Sequence, residues 1–168
     1  MLWAGLLLSQ LSLSAQPTFT LTPLPESGAP GETVQVEVSV DDFADIVSMQ
    51  FSINWDPAVL QYQSLPFITT DLAGFNQSNF GTSANLVDNG KLTVSWLDPA
   101  VSGVTLPNGT LLFTIEFTVQ SSDGTDIVIS DDPSVIEVTD ANGQDIGLNF
   151  VPGAFNGGSG SGGGGGGG

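Results

Sequence analysis

Carboxylates are the side chains of this chain that offer the most chemistry. Its 168 residues include 18 Asp and Glu against a single cation, Lys91, and there is no His or Cys. The acids cluster in three segments, Asp41–Asp45, Asp123–Asp132 and Asp140–Asp145. Because closely spaced oxygen ligands on loops are what calcium requires, calcium is a candidate cofactor of these segments.

The most specific of these clusters is the segment from Asp140 to Asp145. Asp140, Asn142 and Asp145 resemble the first ligands of a calcium-binding loop. The segment lacks the later bidentate Glu that such a loop needs, and its Asn-Gly pair is typical of a turn between strands. The sequence favours a turn here and leaves calcium ligation by these three residues as the alternative.

The composition argues against most other chemistry. Without His or Cys, the chain has no Ser-His-Asp or Cys-His catalytic unit and no imidazole or thiolate metal site. A glycosidase would need two carboxylates about 5–9 Å apart in a cleft, and nothing in the sequence marks such a pair. One cation makes no basic face for phosphates or for anionic lipid. We therefore expect no enzymatic activity, no nucleic-acid binding and no membrane insertion of the mature domain.

The two ends of the chain differ in composition from the rest. Residues 1–15 are apolar, uncharged and end in small residues, which is typical of a secretory signal peptide, although the usual positive start is missing. Residues 156–168 are almost entirely Gly and Ser, which predicts a flexible linker or tail. This leaves residues 16–155 for one domain, secreted or held at the cell surface after bacterial-type export.

Most of that domain has a hydrophobic period of two. Apolar and polar residues alternate over 33–40, 47–55, 92–97 and 111–119, as in strands that are wet on one face. Turn-forming pairs such as Asn-Gly and Pro-Gly separate these runs. The pattern predicts an all-β fold, an antiparallel β-sandwich of jelly-roll topology.

Four segments in order resemble a known family. Residues 31–36, 49–60, 88–98 and 108–119 are similar to successive strands and turns of the cohesin domain, including its Trp-Asp-Pro-x-Val-Leu strand end. The resemblance implies a jelly roll of about nine strands, related in architecture to carbohydrate-binding modules. It also implies a non-catalytic module that docks dockerins, the calcium-loaded modules of polysaccharide-degrading enzymes.

In the family, the partner docks on one flat sheet face. That face uses outward positions of the strand before the Asp-Pro turn and of the hairpin strand. Carried over to this sequence, the partner-binding residues are Ser48 and Gln50 on the first strand, with Ser95 and Asp98 on the second.

Two other functions stay open at this point. A carbohydrate-binding module would grip polysaccharide through exposed aromatic rings. The loop residues Phe67, Phe75 and Phe80 are candidates for this, whereas Trp55 and Trp96 have the inward parity of core residues. The other function is a calcium-stabilised structural block of a cell-surface layer or adhesin.

Overall fold

A computed structural model describes residues 15–158. Residues 1–14 of the predicted signal peptide and residues 159–168 of the Gly-rich segment lie outside these residues. Within the described part, no helix has both the length and the apolar character of a membrane span.

The described chain forms twelve strands, one 3-10 turn and one four-residue helix. The 3-10 turn is Gln77–Asn79 and the helix, α1, is Ala84–Val87. The strands are β1 Thr18–Leu24, β2 Ser27–Gly28, β3 Thr33–Asp41, β4 Ile46–Asn54, β5 Leu60–Ile68, β6 Phe80–Gly81, β7 Lys91–Leu97, β8 Thr110–Val119, β9 Thr125–Ser130, β10 Glu137–Asp140, β11 Asn149–Val151 and β12 Gly153–Gly157.

These strands build two sheets. The five-stranded sheet has the order β11-β1-β3-β8-β5. The seven-stranded sheet has the order β2-β12-β9-β4-β7-β6, with β10 also paired to β4. Pairing is antiparallel except where β11 joins β1 and β12 joins β2. The predicted all-β jelly-roll sandwich is confirmed.

The strand count is higher than the nine that the resemblance implies. β2 and β6 are only two residues long, and β11 is only three. β9 and β10 pair with successive parts of β4 and are separated by the segment 131–136. β11 and β12 pair with different sheets on either side of Pro152. Strands this short, and breaks between successive strands, show no alternation of apolar and polar residues. A strand count based on that alternation is therefore too low.

The core lies between the sheets and contains the inward residues of every long strand. Trp55 and Trp96 are both buried, as their parity predicts. Each indole N–H finds a backbone partner, at 2.8 Å on the Leu60 carbonyl and 2.9 Å on the Ala73 carbonyl. These bonds let the large rings be buried without leaving a donor unpaired.

The segment between β5 and β7 is partly ordered into the short elements above. Phe75 and Phe80 are 6% and 7% exposed, and both pack edge-on against Phe113. Of the three stacking candidates, only Phe67 is open to solvent, at 43%. The prediction that Phe75 and Phe80 could stack on sugars is therefore wrong, because their rings are buried in the core.

The Asn89-Gly90 turn before β7 requires a glycine at its second position. Gly90 has a φ of 70°, and a Cβ placed on it would lie 2.2 Å from the carbonyl oxygen of Trp55. Only glycine tolerates both the left-handed backbone and this approach. The turn therefore sets the register of β7 beside β4.

Candidate interaction face

The outward side of the seven-stranded sheet carries two aligned rows of side chains across three neighbouring strands. The register joins β10, β4 and β7 residue by residue. Neighbouring strands are about 4.8 Å apart, and successive outward residues are about 7 Å apart along a strand, so the rows form a flat patch. We call this patch the polar face. One row is Glu137, Gln50 and Ser95, and the other row is Thr139, Ser48 and Leu97.

Three of the four predicted partner-binding residues lie together at the centre of the polar face. Ser48 and Gln50 are half-buried on β4, and Ser95 is exposed on β7. Within residues 15–158, their side chains make no hydrogen bond, and none of their polar atoms is buried without a partner. Their donors and acceptors are therefore available to a molecule that covers the sheet.

Exposed aliphatic side chains border this polar centre. Leu97 ends one row and is 59% exposed, and Val101 in the following loop is 64% exposed. Val135, just before β10, is 57% exposed. Exposed aliphatic side chains beside free polar groups suit an interaction surface, because the aliphatic groups gain free energy when water leaves them.

The segment 131–136 closes the polar face at one end. The Ser52 hydroxyl, on the next outward position of β4, accepts from the Ser134 backbone N–H at 2.9 Å, and Ser52 is fully buried. Lys91 forms a 2.6 Å ion pair with Asp132 of the same segment. Ser52 shares the outward parity of Ser48 and Gln50 but is covered by this segment, so the open part of the face lies beyond it.

The structure places Asp98 apart from the other three predicted residues. Its side chain is 2% exposed, and its carboxylate accepts backbone N–H groups at 3.0 Å from Ala100, 2.9 Å from Ser102 and 3.2 Å from Gly103. The carboxylate thus holds the loop that carries Val101, which has a φ of 51°. A β-branched residue is strained in that conformation, so the loop depends on this anchor.

Asp98 gives the fold a pH dependence with a definite sign. Hydrogen bonds from Ala100 and Ser102 hold the pKa of Asp98 below its ordinary value, despite the opposing effect of burial. Because the folded-state pKa is lower than the unfolded value of about 3.9, the ionised carboxylate stabilises the fold above that pH. This stabilisation is lost as the pH falls through the folded-state pKa.

We expect Asp98→Asn to lower the melting temperature by about 5 °C at pH 7, because an amide accepts fewer of the loop N–H groups. The difference from the wild type should shrink as the pH falls below the unfolded value of about 3.9 toward the lowered folded-state pKa of Asp98, where the wild-type carboxylate becomes protonated too. Thermal melts of both proteins from pH 7 to pH 2.5 measure this. Asp126→Asn, at an exposed position of β9, is the matched control. An Asp98→Asn deficit that stays constant across this range would contradict the assignment.

The candidate calcium ligands lie in a tight turn after β10. Asp140 is buried and accepts from the backbone N–H groups of Asn142 and Gln144, at 2.9 and 3.0 Å. Asp145 accepts from Gly147 at 3.0 Å and from Val138 at 3.3 Å. Among residues 15–158, no group of three or more acidic side chains is arranged to hold a metal ion. The predicted turn is present, and calcium at Asp140, Asn142 and Asp145 stays a prediction.

Sequence reasoning missed half of the polar face. Glu137 and Thr139 enter it because β10 pairs with β4, and the short alternation from Glu137 to Asp140 was too brief to mark a strand. Leu97 could have been found, because it continues the outward parity of Ser95. Val101 and Val135 lie in loops, where parity gives no signal.

The described chain is thus a jelly-roll sandwich with an open sheet face rich in hydrogen-bonding groups. The family model described as the Cohesin domain matches residues 20–156. Because this match covers most of the chain, the chain belongs to the cohesin family. Cohesin domains are interaction modules without catalytic function. No curated protein gives a significant match to the chain.

Solved cohesin structures share the fold at low identity. The sixth cohesin of scaffoldin B from Acetivibrio cellulolyticus, in complex with a Cel5 dockerin, is 20% identical with a TM-score of 0.64, covering 84% of this chain and 99% of that one. The OlpA cohesin of Clostridium thermocellum, in complex with Doc918, is 16% identical with a TM-score of 0.65 and the same coverage. A non-cellulosomal cohesin of the archaeon Archaeoglobus fulgidus is 19% identical with a TM-score of 0.62, covering 84% and 91%.

Proposed function

We propose that this chain is a dockerin-binding module whose partner docks on the polar face. The observation that carries the proposal is the set of uncommitted side chains of Ser48, Gln50 and Ser95, aligned on a flat sheet and bordered by Leu97 and Val101. Family membership supports it, since several solved cohesins were crystallised with a dockerin.

Docking would combine hydrogen bonds from the centre of the face with burial of its aliphatic border. A helix about 10 Å in diameter fits across strands spaced about 4.8 Å apart, so it covers two to three strands. Leu97, Val101 and Val135 would each contribute about 1–2 kcal/mol on burial. In this proposal Asp98 supports the interface by holding the Val101 loop and does not itself touch the partner.

Secretion and a link to polysaccharide degradation are part of the proposal. The apolar residues 1–15 support export, and cohesins are typically extracellular components of cellulosomes. The proposed role is that of a secreted, non-catalytic module that recruits a dockerin-bearing enzyme. The Gly-rich segment that follows would raise the local concentration of whatever is joined to it.

Capture from a display library of dockerin modules tests this function. The library should span net charges from negative to positive, with the described domain immobilised in calcium-containing buffer to keep the dockerins folded. We expect specific capture with dissociation constants in the micromolar range or tighter. A carbohydrate-binding module would instead retain polysaccharide on affinity gels and capture no dockerin, which would overturn the proposal.

A further inference from the structure

The polar face and its bordering segment carry negative charge without a free cation. Glu137 lies at the end of the row that it shares with Gln50 and Ser95 and is exposed, and Asp132 in the bordering segment is 63% exposed. The only cation of the whole sequence, Lys91, is already paired with Asp132. No cation in the described part of the chain is therefore available to a partner's carboxylate.

Glu137 is also separated from that ion pair. Lys91 stands opposite Asn54 in the register, and Gln50 stands opposite Glu137. Gln50 stands four positions before Asn54 on β4, and Lys91 forms its ion pair with Asp132 and not with Glu137. Because Lys91 is already held by Asp132, it does little to offset the charge of Glu137.

The surroundings of Glu137 suit one kind of side chain. Among residues 15–158, its carboxylate has a single contact within hydrogen-bonding range, a 3.5 Å approach by the Thr139 hydroxyl. Val135 is exposed two residues earlier along the chain. A long cationic side chain can lay its alkyl stem on an aliphatic group while its charged end meets a carboxylate.

We infer that Glu137 is a specificity-determining residue and that the partner docks through a helix bearing Arg or Lys. This inference rests on the proposed function and names the chemistry of its partner. The net charge of −17 adds long-range attraction for cationic modules and repels acidic ones. A dockerin with a net-negative docking helix would meet repulsion without any compensating ion pair.

The display library described above tests the inference. Captured dockerins should be enriched in Arg and Lys on the docking helix, and their association rate should fall about tenfold between 50 and 500 mM NaCl. Glu137→Lys should weaken binding by about 10–100-fold. The matched control is Glu37→Lys on the outward side of the five-stranded sheet, which makes the same change in net charge and should weaken binding by less than about threefold through long-range charge alone.

The outcomes separate the two proposals. Capture of no dockerin overturns the proposed function, and this inference with it. Capture without charge bias, or equal losses from Glu137→Lys and Glu37→Lys, leaves dockerin binding standing and overturns the role of Glu137. A loss confined to Glu137→Lys, with melting temperatures of both variants near that of the wild type, supports the role.

Discussion

Replacing Phe80 with alanine is expected to lower the free energy of unfolding by about 3 kcal/mol. Phe80 is 7% exposed, and its ring centroid lies 5.1 Å from that of Phe75 and 5.0 Å from that of Phe113. Removing the ring costs its burial and these aromatic contacts, and leaves a cavity that β6, with only two residues, is poorly able to fill.

A loss of that size is a large share of the 5–15 kcal/mol that stabilises a typical domain. Urea denaturation followed by intrinsic fluorescence measures it, and the melting temperature should fall by about 10 °C. Phe67→Ala is the matched control, because Phe67 is 43% exposed and should cost less than about 1 kcal/mol. Equal costs for the two variants would contradict the burial described for the segment between β5 and β7.

Replacing Gln50 with tryptophan is expected to weaken dockerin binding by about 100-fold or more. Gln50 lies on the middle strand of the polar face, between Glu137 and Ser95, where a flat surface is needed for a helix to approach. An indole there lifts the partner off both rows, so hydrogen bonds and aliphatic burial are lost together. Isothermal titration calorimetry with a captured dockerin measures the change.

The matched control for Gln50→Trp is Thr20→Trp. Thr20 is a half-buried outward residue of β1 in the opposite sheet, so the added bulk is at a comparable strand position. Its affinity should stay within about twofold of the wild type, and both variants should melt within a few degrees of it. Similar losses in the two variants would mean that the partner does not use the polar face.

The long strands were predictable from sequence because alternation and burial have one physical origin. Predicted runs at 33–40 and 111–119 became β3 and β8 with inward residues that are nearly all buried. Asn-Gly and Pro-Gly pairs marked connections, and Gly31, Gly90 and Gly109 take the positive φ that such turns require. Each of these features is local, so a single sequence carries it.

Features that depend on tertiary pairing were not predictable. Ser52 has the parity of an exposed residue, yet the segment 131–136 folds over it. Asp98 directly follows a strand, where a carboxylate is expected to be exposed. The loop after it turns back instead, and backbone N–H groups of that loop donate to the Asp98 carboxylate. Glu137 joins the polar face only because β10 lies beside β4. Which strand lies beside which is a long-range property that periodicity does not encode.

The last strand, β12, shows that composition also failed to predict where the domain ends. Residues 156–168 were predicted as linker from composition, yet β12 runs through Asn156 to Gly157 and pairs with β2. A Cβ on Gly157 would lie 1.7 Å from the carbonyl oxygen of Ser122. This glycine therefore serves close packing, which composition alone does not distinguish from flexibility.

Mapping of backbone amide chemical shifts during a dockerin titration tests the central claim most directly. With isotope-labelled protein and an unlabelled captured dockerin, we expect the largest shift changes on the outward rows of β4, β7 and β10, at Ser48, Gln50, Ser95 and Thr139. Amides of β1, β3 and β5 in the opposite sheet should change little. Changes concentrated on that opposite sheet, with the polar face unaffected, would contradict the account.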